Sequence, residues 1–357
     1  MKKIAFTDEL YQSEKLYPFS LTRSIHDIRI GILTLREKWE IYTRLAGASL
    51  KNREILRIPV NLIPSLNFLD DIERLENDFS GSNDNFRLLE SAIQIFEYND
   101  WAIRKDFELI TAGRTSERLS GTNKAIHPEN IFIEEGAVVE HCILNAAEGP
   151  VYIGKNSLIM EGAMIRGPFA ICEGATVKMG AKIYGATTIG PYCIAGGEIK
   201  NSVLSGFSNK AHDGYLGDSV VGEWCNLGAG TSNSNIKNTA GKIKVWNNAT
   251  REFETAGIKC GLLMGDYSRC AINTSFNTGT IAGICCNIFG NSPPKYIPDF
   301  SWGDERYILE KALQDIDNWK KLKGKTITEN EIKLLTDIYS SKKNKPCVNK
   351  LQQQTGK

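Results

Sequence analysis

The chain has 357 residues, 41% of them apolar, and its 43 basic and 42 acidic side chains leave a net charge of +1. Two domains are the expectation at this length, and so even a charge balance offers nucleic acid or an anionic membrane no general attraction. No 18-residue apolar run and no charged-apolar-small leader is present, so a cytoplasmic protein that neither spans a membrane nor is exported is expected.

Residues 1–126 read as a short mixed α/β domain. Lys3-Ile-Ala-Phe6 forms a first strand, and Thr34-Leu-Arg-Glu37 is a capping box that opens a helix through Trp39, Tyr42 and Leu45. A second strand falls within Ile55 to Ile63. Asn99 then caps a helix with Ile103, Phe107 and Ile110 on one face.

From about residue 130 a different rule takes over. Ile153, Ile159, Ile165, Ile171, Val177, Ile183 and Ile189 stand on a strict period of six. Apolar residues would fill seven such places by chance about once in 500 trials. Four units share one spelling: Ile133-Glu-Glu-Gly-Ala, Ile159-Met-Glu-Gly-Ala, Ile171-Cys-Glu-Gly-Ala and Val177-Lys-Met-Gly-Ala. A single hexad cannot bury its one large side chain, so hexads stack into coils that share a continuous core. Three hexads per triangular coil place Ile153, Ile171 and Ile189 in one column, Ile159 over Val177, and Ile165 over Ile183. The second run is Ile258, Met264, Cys270, Phe276, Ala282 and Ile288. The hexad domain covers 127–292, a helical extension 293–340, and a polar tail 341–357 has the composition of a disordered segment. The nine cysteines form no CxxC pair and read as reduced core thiols.

Histidine is scarce: His26, His127, His141 and His212 are the whole supply. Only His212 has an unusual setting, a stretch from Lys200 to Asp218 where the hexad lapses. A lapse marks a loop leaving the coil, and loops on rigid scaffolds carry sites. A surface histidine bonded to nearby backbone is the alternative. Zinc catalysis needs three convergent ligands, which four histidines so scattered do not supply.

The segment Lys182 to Asn235 resembles the acetyltransferase domain of the bifunctional N-acetylglucosamine-1-phosphate uridylyltransferase/glucosamine-1-phosphate acetyltransferases. The carrying residues are His212-Asp-Gly-Tyr215-Leu-Gly-Asp218 and Asn226-Leu-Gly-Ala-Gly-Thr. The resemblance implies a left-handed parallel β-helix of hexapeptide repeats, with His212 as catalytic base and Lys182, Lys200, Tyr215, Asn226 and Asn235 as substrate-binding residues. It further implies acetyl-CoA as acyl donor, an amino-sugar phosphate as acceptor, and a homotrimer. Lys182 stands where the family has arginine, keeping the charge without the bidentate fork. Ile236-Lys-Asn stands where the family has Tyr-Asp-Gly.

Over nearly the whole chain the sequence is similar to an alternative bacterial class of the same bifunctional enzyme, through Leu16-Tyr-Pro-Phe-Ser-Leu-Thr-Arg23, Asp27 to Trp39, and Phe300-Ser-Trp-Gly303. That likeness implies a sugar nucleotidyltransferase-like N-terminus, a UTP or other NTP substrate, and Mg2+ if that half is active. The usual glycine-rich phosphate loop is absent between Thr7 and Pro18. Asp8, Arg23 and Arg29 are the candidates for nucleotide contact there, and ordinary ion pairs account for them equally well. A non-catalytic nucleotide-sugar binding or assembly subunit of the same architecture is the rival reading.

Overall fold

The computed structural model describes residues 3–7, 13–45, 55–66, 68 and 83–341. Asp8, Cys347 and the tail beyond Ser341 lie outside them. The body of the molecule is a left-handed parallel β-solenoid whose coils run through three faces in turn.

The first face carries Ile143–Asn145, Met164–Arg166 and Lys182–Ile183. The second carries Val151–Ile153, Phe169–Ile171 and Thr187–Ile189. The third carries Leu158–Ile159, Thr176–Val177 and Ile194–Ala195. The expected columns are present: Ile171 pairs with Ile153 on one side and Ile189 on the other, Ile159 with Val177, and Ile165 with Ile183. All seven hexad residues are buried, and each such side chain removed from water contributes about 1.5–3 kcal/mol. Gly136, Gly162, Gly174 and Gly180 occupy corners at φ between 63° and 76°, where a glycine is least strained. The eight cysteines among the described residues are all buried, in keeping with core thiols.

Where the hexad lapses, the chain does not leave the coil. Residues Glu198–Gly206 and Tyr215–Glu223 are long parallel strands that bend from the first face onto the second at Asn201 and Asp218, both left-handed at φ 46° and 47°. Leu204 stacks on Ile189 and Val221 on Leu204, so these coils are shorter than three hexads, and the period is lost although the column is kept. The excursion comes later. Between Asn235 and Cys260 the chain leaves the coil and forms an antiparallel hairpin, Lys244–Asn247 with Glu252–Thr255. This insertion displaces the second run: Met264, Cys270, Phe276, Ala282 and Ile288 are core residues, but Ile258 is 54% exposed and the chain re-enters the solenoid core only at Leu262. Parallel pairing spans more than residues 127–292. It starts at Lys124–Ile126 and continues through Tyr296–Ile297 to Trp302, so the proline-rich stretch at 293–298 does not end the coil.

The N-terminal region is built on a parallel pair, Lys3–Thr7 with Ile55–Pro59, and the helices Leu35–Leu45 and Asn99–Thr111. The box at Thr34 forms as expected, with Glu37 accepting from the Thr34 backbone at 2.7 Å and Thr34 Oγ1 from the Glu37 backbone at 3.2 Å. The expected second strand is two short ones, Ile55–Pro59 and Leu62–Pro64. Asn99 is not a cap. It lies within the helix, accepts from Gly31 N at 2.8 Å, and donates to Ala186 O at 2.7 Å, which ties the N-terminal region to a coil corner.

The region packs on the second face, where Leu16, Tyr17, Phe19, Ile95 and Phe96 share one apolar cluster with Val203, Val220, Leu263 and Ile281. The C-terminal helices Leu309–Lys321 and Glu329–Ser341 cover the corner between the second and third faces, against Trp224, Tyr267 and Phe300. Among the described residues, Met164, Lys182 and Lys200 on the first face stay exposed, as does the corner where the third face turns into it.

Candidate active site

His212 sits at that open corner, in the four-residue turn between Asn209–Lys210 on the third face and Tyr215–Glu223 on the first. The turn is held tightly from both sides. Gly214 is at φ 120°, and a Cβ there would meet Thr231 O of the next coil at 2.1 Å, so only glycine fits. Gly230 N donates to Asp213 O at 3.1 Å, and Tyr215 N donates to Ser232 Oγ at 3.0 Å. The imidazole of His212 is exposed.

On the first face, strand register lines up Met164, Lys182, Glu198 and Tyr215 in one outward row. Lys182 is exposed, and Lys200 lies over the Tyr184 ring with Nζ 6.0 Å from its centre. Tyr215, three residues beyond His212, accepts a hydrogen bond from Asn235 Nδ2 at 3.1 Å. The same amide donates to Asp218 Oδ2 at 2.5 Å, and Asn201 Nδ2 donates to Asp218 Oδ1 at 2.6 Å. Asp218 is 3% exposed, so a buried carboxylate fixes Asn235, which in turn fixes the Tyr215 hydroxyl. Burial, reinforced by the negative charge of Asp218, pushes the Tyr215 phenol up to about 12, so it keeps its proton at neutral pH. Burial also raises the carboxyl of Glu97, and the nearby Asp218 adds to it, which places the helix Gln94–Glu97 beside this network.

The structure thus brings together Lys182, Lys200, Tyr215 and Asn235 on one face, with His212 at its margin. Asn226 lies around the corner. It is on the third face, in register with Asn209 and Arg269, and it accepts from Asn209 Nδ2 at 3.4 Å. Asn209 in turn accepts from Lys323 Nζ at 3.0 Å, a residue just after the first C-terminal helix.

Arg23 and Arg29 are occupied elsewhere. Arg23 pairs with Glu223 at 3.0 Å and with the buried Asp266, whose carboxylate Thr22 shares. Two carboxylates already neutralise its guanidinium, so its place is that of a strut between the N-terminal region and the solenoid. Arg29 is 8% exposed, donates to Ile32 O, and pairs with Glu37 at 3.5 Å. Among the described residues no three His, Cys, Asp or Glu side chains stand close enough to hold a metal ion. No helix among them is long and apolar enough to cross a membrane.

Asp218, Asn201 and Glu198 were not singled out by sequence reasoning. Asp218 closes the Tyr215-Leu-Gly-Asp218 motif and was therefore findable. Asn201 and Glu198 carry no sequence signal of their own, since their places depend on register between coils.

Comparison with known proteins supplies the relationships. Residues 4–61 match the family model "Sugar nucleotidyl transferase". The chain is 27% identical over 196 residues to the bifunctional protein GlmU of Synechococcus elongatus, a match covering 49% of this chain and 41% of that protein. It is 31% identical over 120 residues to GlmU of Methanocaldococcus jannaschii, covering 34% and 27%. A bifunctional sugar-1-phosphate nucleotidylyltransferase/acetyltransferase of Sulfurisphaera tokodaii is 33% identical over 92 residues, covering 26% and 23%. The chain therefore spans less than half the length of these relatives. An Arabidopsis UDP-N-acetylglucosamine acyltransferase structure aligns with 63% of this chain and 90% of its own at 13% identity, with a TM-score of 0.29, a likeness too low to build on. The chain is thus similar over part of its length to the bifunctional GlmU proteins, with a segment at residues 4–61 that is similar to sugar nucleotidyl transferases and a hexapeptide-repeat coil behind it.

Proposed function

We propose that this chain is an acetyl-CoA-dependent N-acetyltransferase acting on an amino-sugar 1-phosphate of the glucosamine-1-phosphate type. One observation carries the reading: His212 stands exposed in the turn that leads into a face presenting Lys182, Lys200 and Tyr215 outward.

In the reaction a neutral sugar amine attacks the thioester carbonyl. The N–C bond forms, the C–S bond breaks, and His212 takes the amine proton and passes it to the departing thiolate. Lys182 and Lys200 supply the positive charge for the sugar phosphate, and their flexible ammonium groups act as point charges rather than forks. The Tyr215 oxygen already accepts from Asn235, so its own proton is free for a sugar oxygen. Both protons of the Asn235 amide are committed, to Tyr215 and Asp218, so the group it can offer a substrate amine is its Oδ1.

Asn226, on the far side of the corner, completes such a site most directly in a neighbouring copy. A homotrimer with shared sites between coils is therefore part of the proposal, and coenzyme A would lie along that junction. Light scattering at micromolar concentration is expected to give three times the 39.7 kDa chain mass. A monomer would remove the shared site. The match of residues 4–61 favours, as a second reading, nucleotidyl transfer from an NTP with Mg2+ in the same protein, a step for which Arg23 is not free.

The deciding experiment incubates the purified chain with acetyl-CoA and a panel of amino-sugar phosphates and reads released thiol. Turnover is expected with a hexosamine 1-phosphate, and far less with the unphosphorylated amino sugar. No thiol release with any acceptor would leave the chain as a binding or assembly subunit.

A further inference from the structure

Lys210 occupies a place where the coil should carry an apolar side chain. On the third face Val139, Ile159, Val177 and Ala195 stack inward in register, and Lys210 comes next. Pairing of Asn209 with Asn226 sets Leu227 on its other side, followed by Cys270 and Ile288. The lysine is 1% exposed, in the middle of an otherwise apolar column. Its Nζ hydrogen-bonds to two backbone carbonyls, Gly196 O at 3.2 Å and His212 O. Gly196 belongs to one corner of the coil and His212 to the corner stacked upon it, so the amine bridges two successive turns. The space between them is tight: a Cβ on Gly197 would meet His212 O and Gly214 O, each at 2.8 Å.

A leucine or methionine would fill this column without the cost of burying an amine. Burial brings the Lys210 amine down to about 8, against the upward pull of Asp213 and Cys270, so the fold holds the group at a disadvantage. A local rule broken at a loss to stability, next to the candidate base, points to a role in the site.

We propose that Lys210 is a positioning residue for His212: by anchoring the His212 carbonyl inward it fixes the peptide planes of the turn, and with them the direction in which the imidazole leaves the corner. This rests on the reading of His212 as the base. The lysine touches no substrate. Its effect is preorganisation, and misplacing a reacting group by about 1 Å is enough to cost a large factor in rate.

The test compares Lys210→Met, Lys210→Gln and His212→Ala in the full chain. Lys210→Met is expected to melt no lower than the parent, to lose about tenfold or more in kcat, and to keep KM for acetyl-CoA and for the acceptor within about twofold. Lys210→Gln keeps one amide donor beside the carbonyls and should retain more turnover than Lys210→Met. Should Lys210→Met fail to fold, Lys210→Gln measured against the parent carries the same kcat-against-KM split. A folded Lys210→Met with parental kcat, or a loss seen only in KM, overturns the positioning role while leaving His212 untouched. A fully active His212→Ala overturns both, and does so separately from any result at Lys210.

Discussion

Replacing His212 by alanine is expected to lower the rate of acetyl transfer at neutral pH by about 100-fold or more, the usual scale for loss of a general base. An amine that carries its proton cannot attack a thioester, and one that loses it only as the new bond forms needs an acceptor at the right distance. No other titratable side chain stands in the turn between Lys210 and Tyr215 except Asp213. The side chain of His212 is exposed, so truncation removes no core contact and should shift stability by no more than about 0.5 kcal/mol. The informative pattern is therefore a collapsed kcat with an unchanged melting temperature and unchanged acetyl-CoA binding by calorimetry. Turnover within a few-fold of the parent would remove His212 from the mechanism, and with it the main support for acetyl transfer at this corner.

The second large effect lies in the N-terminal region. Lys38 and Asp106 form an ion pair with side chains only 1% and 2% exposed, and Asp106 also accepts from Ile32 N at 2.8 Å and Leu33 N at 3.1 Å. Burial lowers the Lys38 amine and raises the Asp106 carboxyl, so each group depends on the other to stay charged. Lys38→Met strands the carboxylate and is expected to cost about 3–5 kcal/mol in urea unfolding at pH 7. The sign of the pH dependence follows. A stranded carboxyl with a folded pKa above its unfolded value binds its proton more readily in the folded state, so the variant's deficit is largest near neutrality and narrows as pH falls. Adding Asp106→Asn, which keeps an acceptor for the two backbone N–H groups without the charge, should recover much of the loss. A deficit below about 1 kcal/mol for Lys38→Met would mean that water reaches the pair.

The sequence carries the solenoid in its period because each coil repeats one physical problem, the burial of a single branched side chain per side. Ile153, Ile171 and Ile189 are legible for that reason. Leu204 and Val221 extend the same column invisibly, since shorter coils keep the stacking and discard the spacing. Ile258 illustrates the converse, a residue in phase by number whose phase the hairpin insertion has already broken. The covered second face also left a trace. Its outward positions read Ala170, Thr188, Val203, Val220, Leu263 and Ile281, all buried, whereas the open first face shows Lys182 and Lys200. Of the candidate site, the residues within one motif were readable. The Asp218 network was not, because Asn201, Asp218 and Asn235 meet only through coil-to-coil register. Lys210 was hidden by the same logic, as a lysine inside a hexad looks like a lapse rather than an inward side chain.

The cover on the second face has a consequence for how the chain is made. Arg23 pairs with Glu223, Thr22 bonds to Asp266, and Tyr17 donates to Asp299, partners 200, 244 and 282 positions later in the chain. At about 5–20 residues per second, a ribosome needs roughly 10–40 s to synthesise the first 200 of those positions. During that interval Leu16, Phe19, Ile25, Ile28 and Ile30 have no floor to lie on, while the early coils can already close on one another through neighbours about one turn away. The N-terminal segment thus docks long after it is made. Nascent-chain surveillance by chaperones should concentrate on it, and a destabilised third quarter of the coil should be felt first as failure of the N-terminal region to settle.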